Sequence, residues 1–183
     1  MKNLVRRRRL ALARFLCNRC KTVLARFLLL LCLAMPGLAL AEPAFVYLVR
    51  HGEKEAGQDP ALTSQGQQRA KNIASLLRRA GVKQVFSSQT LRTMQTAQAM
   101  AQVAGVEVIA YDASKPQALV ARVHAIDGGA VLVVGHSDTL SELVRLFGGA
   151  PGADIGDLEF DRVYQLTRGA DGKVVTVLLS SLP

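Results

Sequence analysis

Short apolar runs alternate with stretches of helical period along most of this chain. Phe45–Val49 is apolar throughout and is a candidate buried strand. Thr63 or Ser64 can cap a helix running to about Ala80. In it Ala70, Ile73, Ala74 and Leu77 fall at i, i+3, i+4 and i+7, and Gly81 ends it. Val82–Phe86 is a second short strand. A helix from about Gln89 follows, with Leu91, Met94, Ala97, Ala101 and Ala104 on one face and Gly105 at its end. Val106–Tyr111 is a third strand. Pro116 opens a helix using Leu119, Val123 and Ile126, closed by Gly128 and Gly129. Ala130–Val134 is the most apolar strand. Leu140, Leu143, Val144 and Phe147 then form a helical stripe stopped by Gly148 and Gly149. Leu158–Leu166 and Lys173–Leu179 flank an Asp171-Gly172 turn and predict a C-terminal β-hairpin.

Strands alternate with helices four times. That pattern predicts an α/β fold, three layers of α/β/α around a mostly parallel sheet. Ala150–Gly156 reads as a loop within one domain.

Charge changes the picture at one place. The 183 residues carry 23 Lys+Arg against 14 Asp+Glu, a net charge of +9. Nine of the basic residues and none of the acids lie in residues 1–41, so the rest is neutral. All three cysteines, Cys17, Cys20 and Cys32, lie there too. A basic, apolar leader is joined to a cysteine-free domain over residues 42–183, long enough for one real core and too short for two. Without a thiol that domain is no disulfide scaffold.

The leader reads as a secretory signal. Basic residues precede Phe27–Met35, Pro36-Gly37 breaks the helix, and Ala39-Leu40-Ala41 supplies the small-x-small pattern before a cut. Phe27 to Ala41 is 15 residues, short of the roughly 20 needed to span a bilayer. Export to the periplasm or outside the cell is therefore expected, with an uncleaved anchor as the alternative. The Arg6–Arg9 run belongs to targeting, so no nucleic-acid partner is expected, and contact with a membrane only through the N-terminal segment. Cys17 and Cys20 have no second pair and make no zinc site.

In a parallel sheet a ligand sits at the carboxyl ends of the strands. Here those ends read Arg50-His51-Gly52-Glu53, then Ser87-Ser88 with Arg92 in the next helix's first turn, then Gly135-His136-Ser137-Asp138. Two histidines and two arginines converge on one edge. A guanidinium fork fits phosphate oxygens. An imidazole, with an unperturbed pKa of about 6.5, is a competent nucleophile toward phosphorus. His124, beside Val120 and Val123 on a helix, reads as an ordinary edge residue. Gly135-x-Ser137-x-Thr139 falls short of a serine-hydrolase elbow, since no histidine follows position 136 to complete the triad. His51-Gly52-Glu53 lacks the cysteine pair of a zinc deaminase. No P-loop motif is present.

Four blocks together carry a family resemblance. Leu48-Val49-Arg50-His51-Gly52-Glu53, Asp59–Gly66, Ser87–Ala97 and Val134–Ser137 resemble, in order, the motifs of the histidine phosphatase superfamily, in its phosphoglycerate-mutase-like branch. The resemblance implies that His51 is the nucleophile that becomes phosphohistidine. It implies that Arg50, Arg92 and His136 grip the phosphoryl oxygens, and that no metal or other cofactor is needed; the mechanism expected from these residues has His136 protonated. Only 44 positions separate Arg92 from His136, and no Trp-Asn pair follows Glu53. Both departures favour a compact phosphatase over a sugar-phosphate mutase. The general acid has three candidates: Asp138, two residues past His136, is favoured over Asp112 after the third strand, and Glu53 comes third. The expected substrate is a small phosphomonoester, of unspecified identity. A phosphohistidine-protein phosphatase or an inactive phosphate-binding scaffold are the alternatives. The oligomeric state is left open. N-terminal sequencing of the exported protein should begin at Glu42; a full-length, membrane-bound product would instead support the anchor.

Overall fold

The computed structural model describes residues 42–182. The expected signal segment over residues 1–41 lies outside the described residues. Among the described residues no helix is long and apolar enough to cross a membrane. Six strands form one sheet: β1 (Phe45–Arg50), β2 (Val82–Ser87), β3 (Val108–Ala110), β4 (Ala130–Gly135), β5 (Arg162–Arg168) and β6 (Val174–Ser180). Four helices connect them: α1 (Ser64–Leu77), α2 (Leu91–Ala104), α3 (Pro116–His124) and α4 (Ser137–Leu146). The strand order is β3-β2-β4-β1-β5-β6. The first four strands in that order run parallel, and β5 and β6 form the antiparallel hairpin at one edge.

Side-chain alternation along the strands builds the layers. Val46 and Leu48 of β1, with Val131 and Val133 of β4, pack against Leu119 and Val123 of α3 and Leu140, Leu143 and Val144 of α4. Tyr47, Val49, Leu132 and Val134 face the other way, onto Ile73, Ala74 and Leu77 of α1 and Ala97, Met100 and Ala101 of α2. A strand covered on both faces must be apolar at every position, which is why the central runs show no polar alternation.

The helix ends follow their side-chain chemistry. Thr63 is the N-cap of α1, its hydroxyl accepting from Gly66 N. Gly105 ends α2 in the left-handed region at φ 69°. Three boundaries differ from the pattern. Helix α1 stops at Leu77 rather than Ala80, because Ala80 N turns back to Leu77 O in a tighter turn. Strand β3 starts at Val108, since Val106 N is consumed by the Ala101 carbonyl at the end of α2. The hairpin starts at Arg162 rather than Leu158, because the carbonyls of Gly156, Asp157 and Glu159 are turned onto the Arg50 guanidinium.

One close approach fixes the loop after β1. A Cβ on Gly52 would lie 2.7 Å from the Gly66 carbonyl oxygen, and a Cβ on Gly66 would run into the Glu53 backbone. The two glycines let the start of α1 lie directly against the segment carrying His51. Gly66→Ala should therefore lower the unfolding free energy by about 1–3 kcal/mol through forced backbone shifts. Denaturant midpoints measure this, and an unchanged midpoint would contradict the close packing.

Candidate active site

Strand register assembles the site. Arg50 lies opposite Gly135 in the parallel β1–β4 pair, and Ser87 opposite Val134 in the β2–β4 pair. The residues one step beyond each strand end, His51, Ser88 and His136, are therefore neighbours. His51 N donates to Gly135 O at 3.0 Å, and Ser88 N to Val134 O at 3.3 Å. The two imidazoles meet edge to face with centroids 5.3 Å apart.

His51 is 3% exposed. Its Nδ1 lies 2.7 Å from the Gly52 carbonyl oxygen, an atom that can only accept. The proton of the neutral ring is therefore on Nδ1, and Nε2 carries the lone pair. Burial, reinforced by the nearby His136, Arg92 and Arg50, lowers the His51 pKa from 6.5 to about 4, against the Gly52 hydrogen bond that raises it. The ring is neutral at physiological pH, the state an imidazole nucleophile requires. Gly52 N in turn donates to Thr96 Oγ1 at 3.0 Å, which ties this turn to α2.

His136 caps the start of α4, where its backbone N donates to Thr139 Oγ1 at 3.1 Å. Its Nε2 lies 2.9 Å from Ser88 Oγ and its Nδ1 3.4 Å from Arg92 Nη2. Burial, then the Arg92 and Arg50 charges, hold its pKa below the ordinary value, with Asp138 pulling the other way. The protein's own groups thus disfavour the protonated His136 that the sequence suggested. A bound dianion would supply the opposing charge.

The arginines sit differently from one another. Arg50 is 8% exposed, with its guanidinium 4.1 Å from the centroid of the Phe160 ring. Its Nη1 reaches the carbonyls of Gly156, Asp157 and Glu159 at 2.9, 3.0 and 3.0 Å. Arg50 is thus as much a staple for that loop as a ligand for an anion. Arg92 Nη1 lies 3.6 Å from Asp59 Oδ1, and the same oxygen accepts from Leu91 N at the start of α2. The Nε atoms of both Arg50 and Arg92 are buried without a hydrogen-bond partner. Two orphaned guanidinium donors at one strand edge are the kind of group an anion satisfies.

An open pocket at this edge is lined by His51, Arg92, His136, Ser137 and Asp138. It lies at the N-terminus of α4, whose first-turn amides favour negative charge. Asp138 is the one carboxylate among those lining groups. Asp112 is elsewhere: exposed, it accepts from Ser114 N and Oγ and pairs with Lys115 at 3.2 Å, an arrangement that shapes the turn before α3. The Ser114 hydrogen bonds hold its carboxyl below the usual range. Glu53 is committed to Arg69, with Nη2 to Oε1 at 2.6 Å and Nε within 2.9 Å of both oxygens. Burial alone would push the Glu53 carboxyl up, but the Arg69 hydrogen bonds bring it below the usual range. His124 is remote from this pocket and pairs with Glu42 at 3.2 Å. Among the described residues no cluster of His, Cys, Asp or Glu could hold a metal ion.

Sequence reasoning missed Phe160, Arg69 and the Gly156–Glu159 carbonyls, all brought in from distant stretches with no local signal. Ser88 and Thr93 stood inside a quoted block but were given no role.

A family model, that of the histidine phosphatase superfamily (branch 1), matches residues 46–115. The chain is 38% identical over 105 residues to the probable phosphoglycerate mutase GpmB of Citrobacter koseri, and 35% identical to the protein of that name in Escherichia coli K12. Each match covers 53% of this chain and 44% of the relative, so the chain spans under half the length of these curated relatives. The fold resembles that of the protein histidine phosphatase SixA complexed with tungstate, at TM-score 0.58 and 20% identity over 74% of this chain and 96% of that one. It also resembles a phosphoserine phosphatase from Entamoeba histolytica, solved with 3-phosphoglyceric acid, at TM-score 0.56 and 16% identity over 76% and 96%.

The depressed His51 pKa has a consequence for stability. Between about 4 and 6.5 the unfolded chain takes up a proton at His51 that the folded protein refuses. Stability therefore rises with pH across that window and is lost as pH falls through it. The lowered His136 pKa acts in the same direction. Urea midpoints measured across that window should climb with pH, and less steeply in His51→Asn. Equal slopes would contradict a His51 kept neutral by its surroundings.

Proposed function

Because the chain belongs to the histidine phosphatase superfamily, we propose that residues 42–183 form an exported phosphatase that hydrolyses phosphomonoesters through a phosphohistidine at His51. One observation carries the reading. A buried, neutral imidazole with its lone pair on Nε2 stands beside two guanidinium groups whose Nε atoms lack partners.

The chemistry divides between these groups. His51 Nε2 attacks phosphorus in line, forming the N–P bond as the ester P–O bond breaks. The guanidinium groups of Arg50 and Arg92 and the imidazole of His136 stabilise charge on the phosphoryl oxygens. Asp138 gives its proton to the leaving oxygen. It then takes a proton from the water that cleaves the N–P bond, which restores His51 and releases phosphate. Every step uses side chains alone, so no metal enters. The choice of Asp138 is supported by its place in the pocket lining, whereas Asp112 and Glu53 are occupied by Ser114 and Lys115 and by Arg69.

The pocket also bears on the substrate. Ser137 and Asp138 line it beside His136, and Arg92 is its one lining residue with a permanent positive charge. With Arg50 and Arg92 both given to the phosphoryl oxygens, a leaving group carrying its own carboxylate, as a phosphoglycerate does, would meet no further cation among the lining residues and would face Asp138. This supports a phosphatase over a mutase. The openness of the pocket also suits a phosphoryl group borne on a protein side chain, so a phosphohistidine peptide is the second reading. Export rests on the leader in residues 1–41 alone.

The processed domain should hydrolyse both a nitrophenyl phosphate and an alkyl phosphate, with activity intact after exhaustive chelation. Asp138→Asn should slow the alkyl ester about tenfold more than the nitrophenyl ester, whose leaving group needs no proton. Asp112→Asn should leave both rates within about twofold, as expected for a residue outside the proton-transfer path. Activity abolished by EDTA and restored by Zn²⁺, or an Asp138→Asn enzyme equally slow on both esters, would overturn the respective assignment.

A further inference from the structure

His136 is backed by a chain of hydroxyl groups to which the steps above give no part. Its Nε2 lies 2.9 Å from Ser88 Oγ, and Ser88 is 2% exposed. Ser88 Oγ lies 2.9 Å from Thr93 Oγ1, on a fully buried threonine. Thr93 Oγ1 reaches the backbone carbonyls of Ser88 and Thr90, each at 2.9 Å. A carbonyl only accepts, so the one hydroxyl proton of Thr93 is directed to these two oxygens. The Thr93 oxygen is then an acceptor for its neighbours: it takes the Ser88 proton, and has a second lone pair for Thr90 Oγ1 at 2.9 Å. Ser88, its proton spent, offers His136 Nε2 only lone pairs.

The opposite side of the ring imposes the same answer. His136 Nδ1 lies 3.4 Å from Arg92 Nη2, and a guanidinium only donates. Reversing the chain, with Ser88 donating to Nε2, would place an Nδ1–H against an Arg92 N–H, two donors facing each other. It would also forfeit the Ser88–Thr93 bond, and a buried polar group left without its partner costs about 1–3 kcal/mol.

We propose that Ser88, held in turn by Thr93, is a positioning residue that fixes His136 as the Nε2–H tautomer. Nδ1, which accepts from Arg92 in the anion-free protein, is thereby the atom that faces the ligand: once a phosphoryl oxygen takes over the Arg92 N–H, Nδ1 takes up a proton and presents it to that anion. The Ser88 bond is kept in both protonation states of the ring, so neither a ring flip nor a hydroxyl rotation accompanies the gain of that proton. The catalytic consequence rests on the phosphatase reading, whereas the tautomer is a property of the protein alone.

Long-range ¹H–¹⁵N NMR of the histidine-labelled domain, above the pH at which its imidazoles titrate, reads the tautomer directly. In the wild type His136 should show a protonated Nε2 and a bare Nδ1. Ser88→Ala should give a mixture of tautomers. Thr93→Val, which frees the Ser88 proton to turn toward Nε2, should shift the population toward Nδ1–H without touching the ring. Ser88→Ala should also lower kcat on an alkyl phosphate about tenfold or more, with KM moving less, a loss of the size seen when a metal-ligating histidine loses its supporting partner. A wild-type proton on Nδ1, or tautomers unchanged in both variants, would overturn the proposal. If the tautomers behave as stated but no phosphoester is hydrolysed, the proposed function falls and the relay stands.

Discussion

Parallel pairing of β1 with β4, with Arg50 opposite Gly135, is the constraint on which the rest of the site depends. It places His51 and His136 one residue beyond two adjacent strand ends, with His51 N bonded to Gly135 O. Strand β2 pairs on the other side of β4 and brings Ser88 and, a helical turn later, Arg92 to the same edge. A slip of one residue between β1 and β4 would turn alternate side chains to the opposite face. Such a slip would put Val46 and Leu48 against α1 and α2, and would part the histidines. The two apolar cores therefore enforce the geometry of the polar edge.

That edge concentrates positive charge under partial burial. Two guanidinium groups and two imidazoles converge, and burial beside these charges lowers the pKa of both imidazoles. Carboxylates pair with some of the neighbouring groups: Glu53 with Arg69, and Asp59 loosely with Arg92. They leave the Nε atoms of Arg50 and Arg92 unmatched. An anion completes this arrangement, where a neutral ligand would not. Arg50 also closes the back of the site, since its Nη1 gathers three carbonyls of the segment before β5 and its plane carries Phe160. One side chain thus links the end of β1 to the loop leading into the hairpin.

Most of the architecture was legible in the sequence because burial on both faces leaves a strong mark. The runs Phe45–Val49 and Ala130–Val134 could be little else than central strands, and the helical stripes located the four helices of the described residues. The convergence of His51, Ser88, Arg92 and His136 followed from the rule that ligands meet the carboxyl ends of parallel strands. What escaped were features set by contacts distant in sequence. Nothing around Leu158 announces that its neighbours' carbonyls will serve Arg50 rather than pair in a strand; Leu158 itself is 93% exposed. Nothing around Arg69 marks it as the partner of Glu53. Chain order likewise gives no measure of the burial and of the Arg92 charge that lower the His136 pKa.

The central claim is that the lone pair on His51 Nε2 is the nucleophile. Brief incubation of the processed domain with a ³²P-labelled phosphomonoester, followed by denaturing quench, tests it most directly. A phosphoenzyme stable to base and lost in acid, as a phosphoramidate is, should form in the wild type and be absent from His51→Ala. Label retained on His51→Ala, or a wild-type adduct that is stable in acid and lost in base, would contradict it.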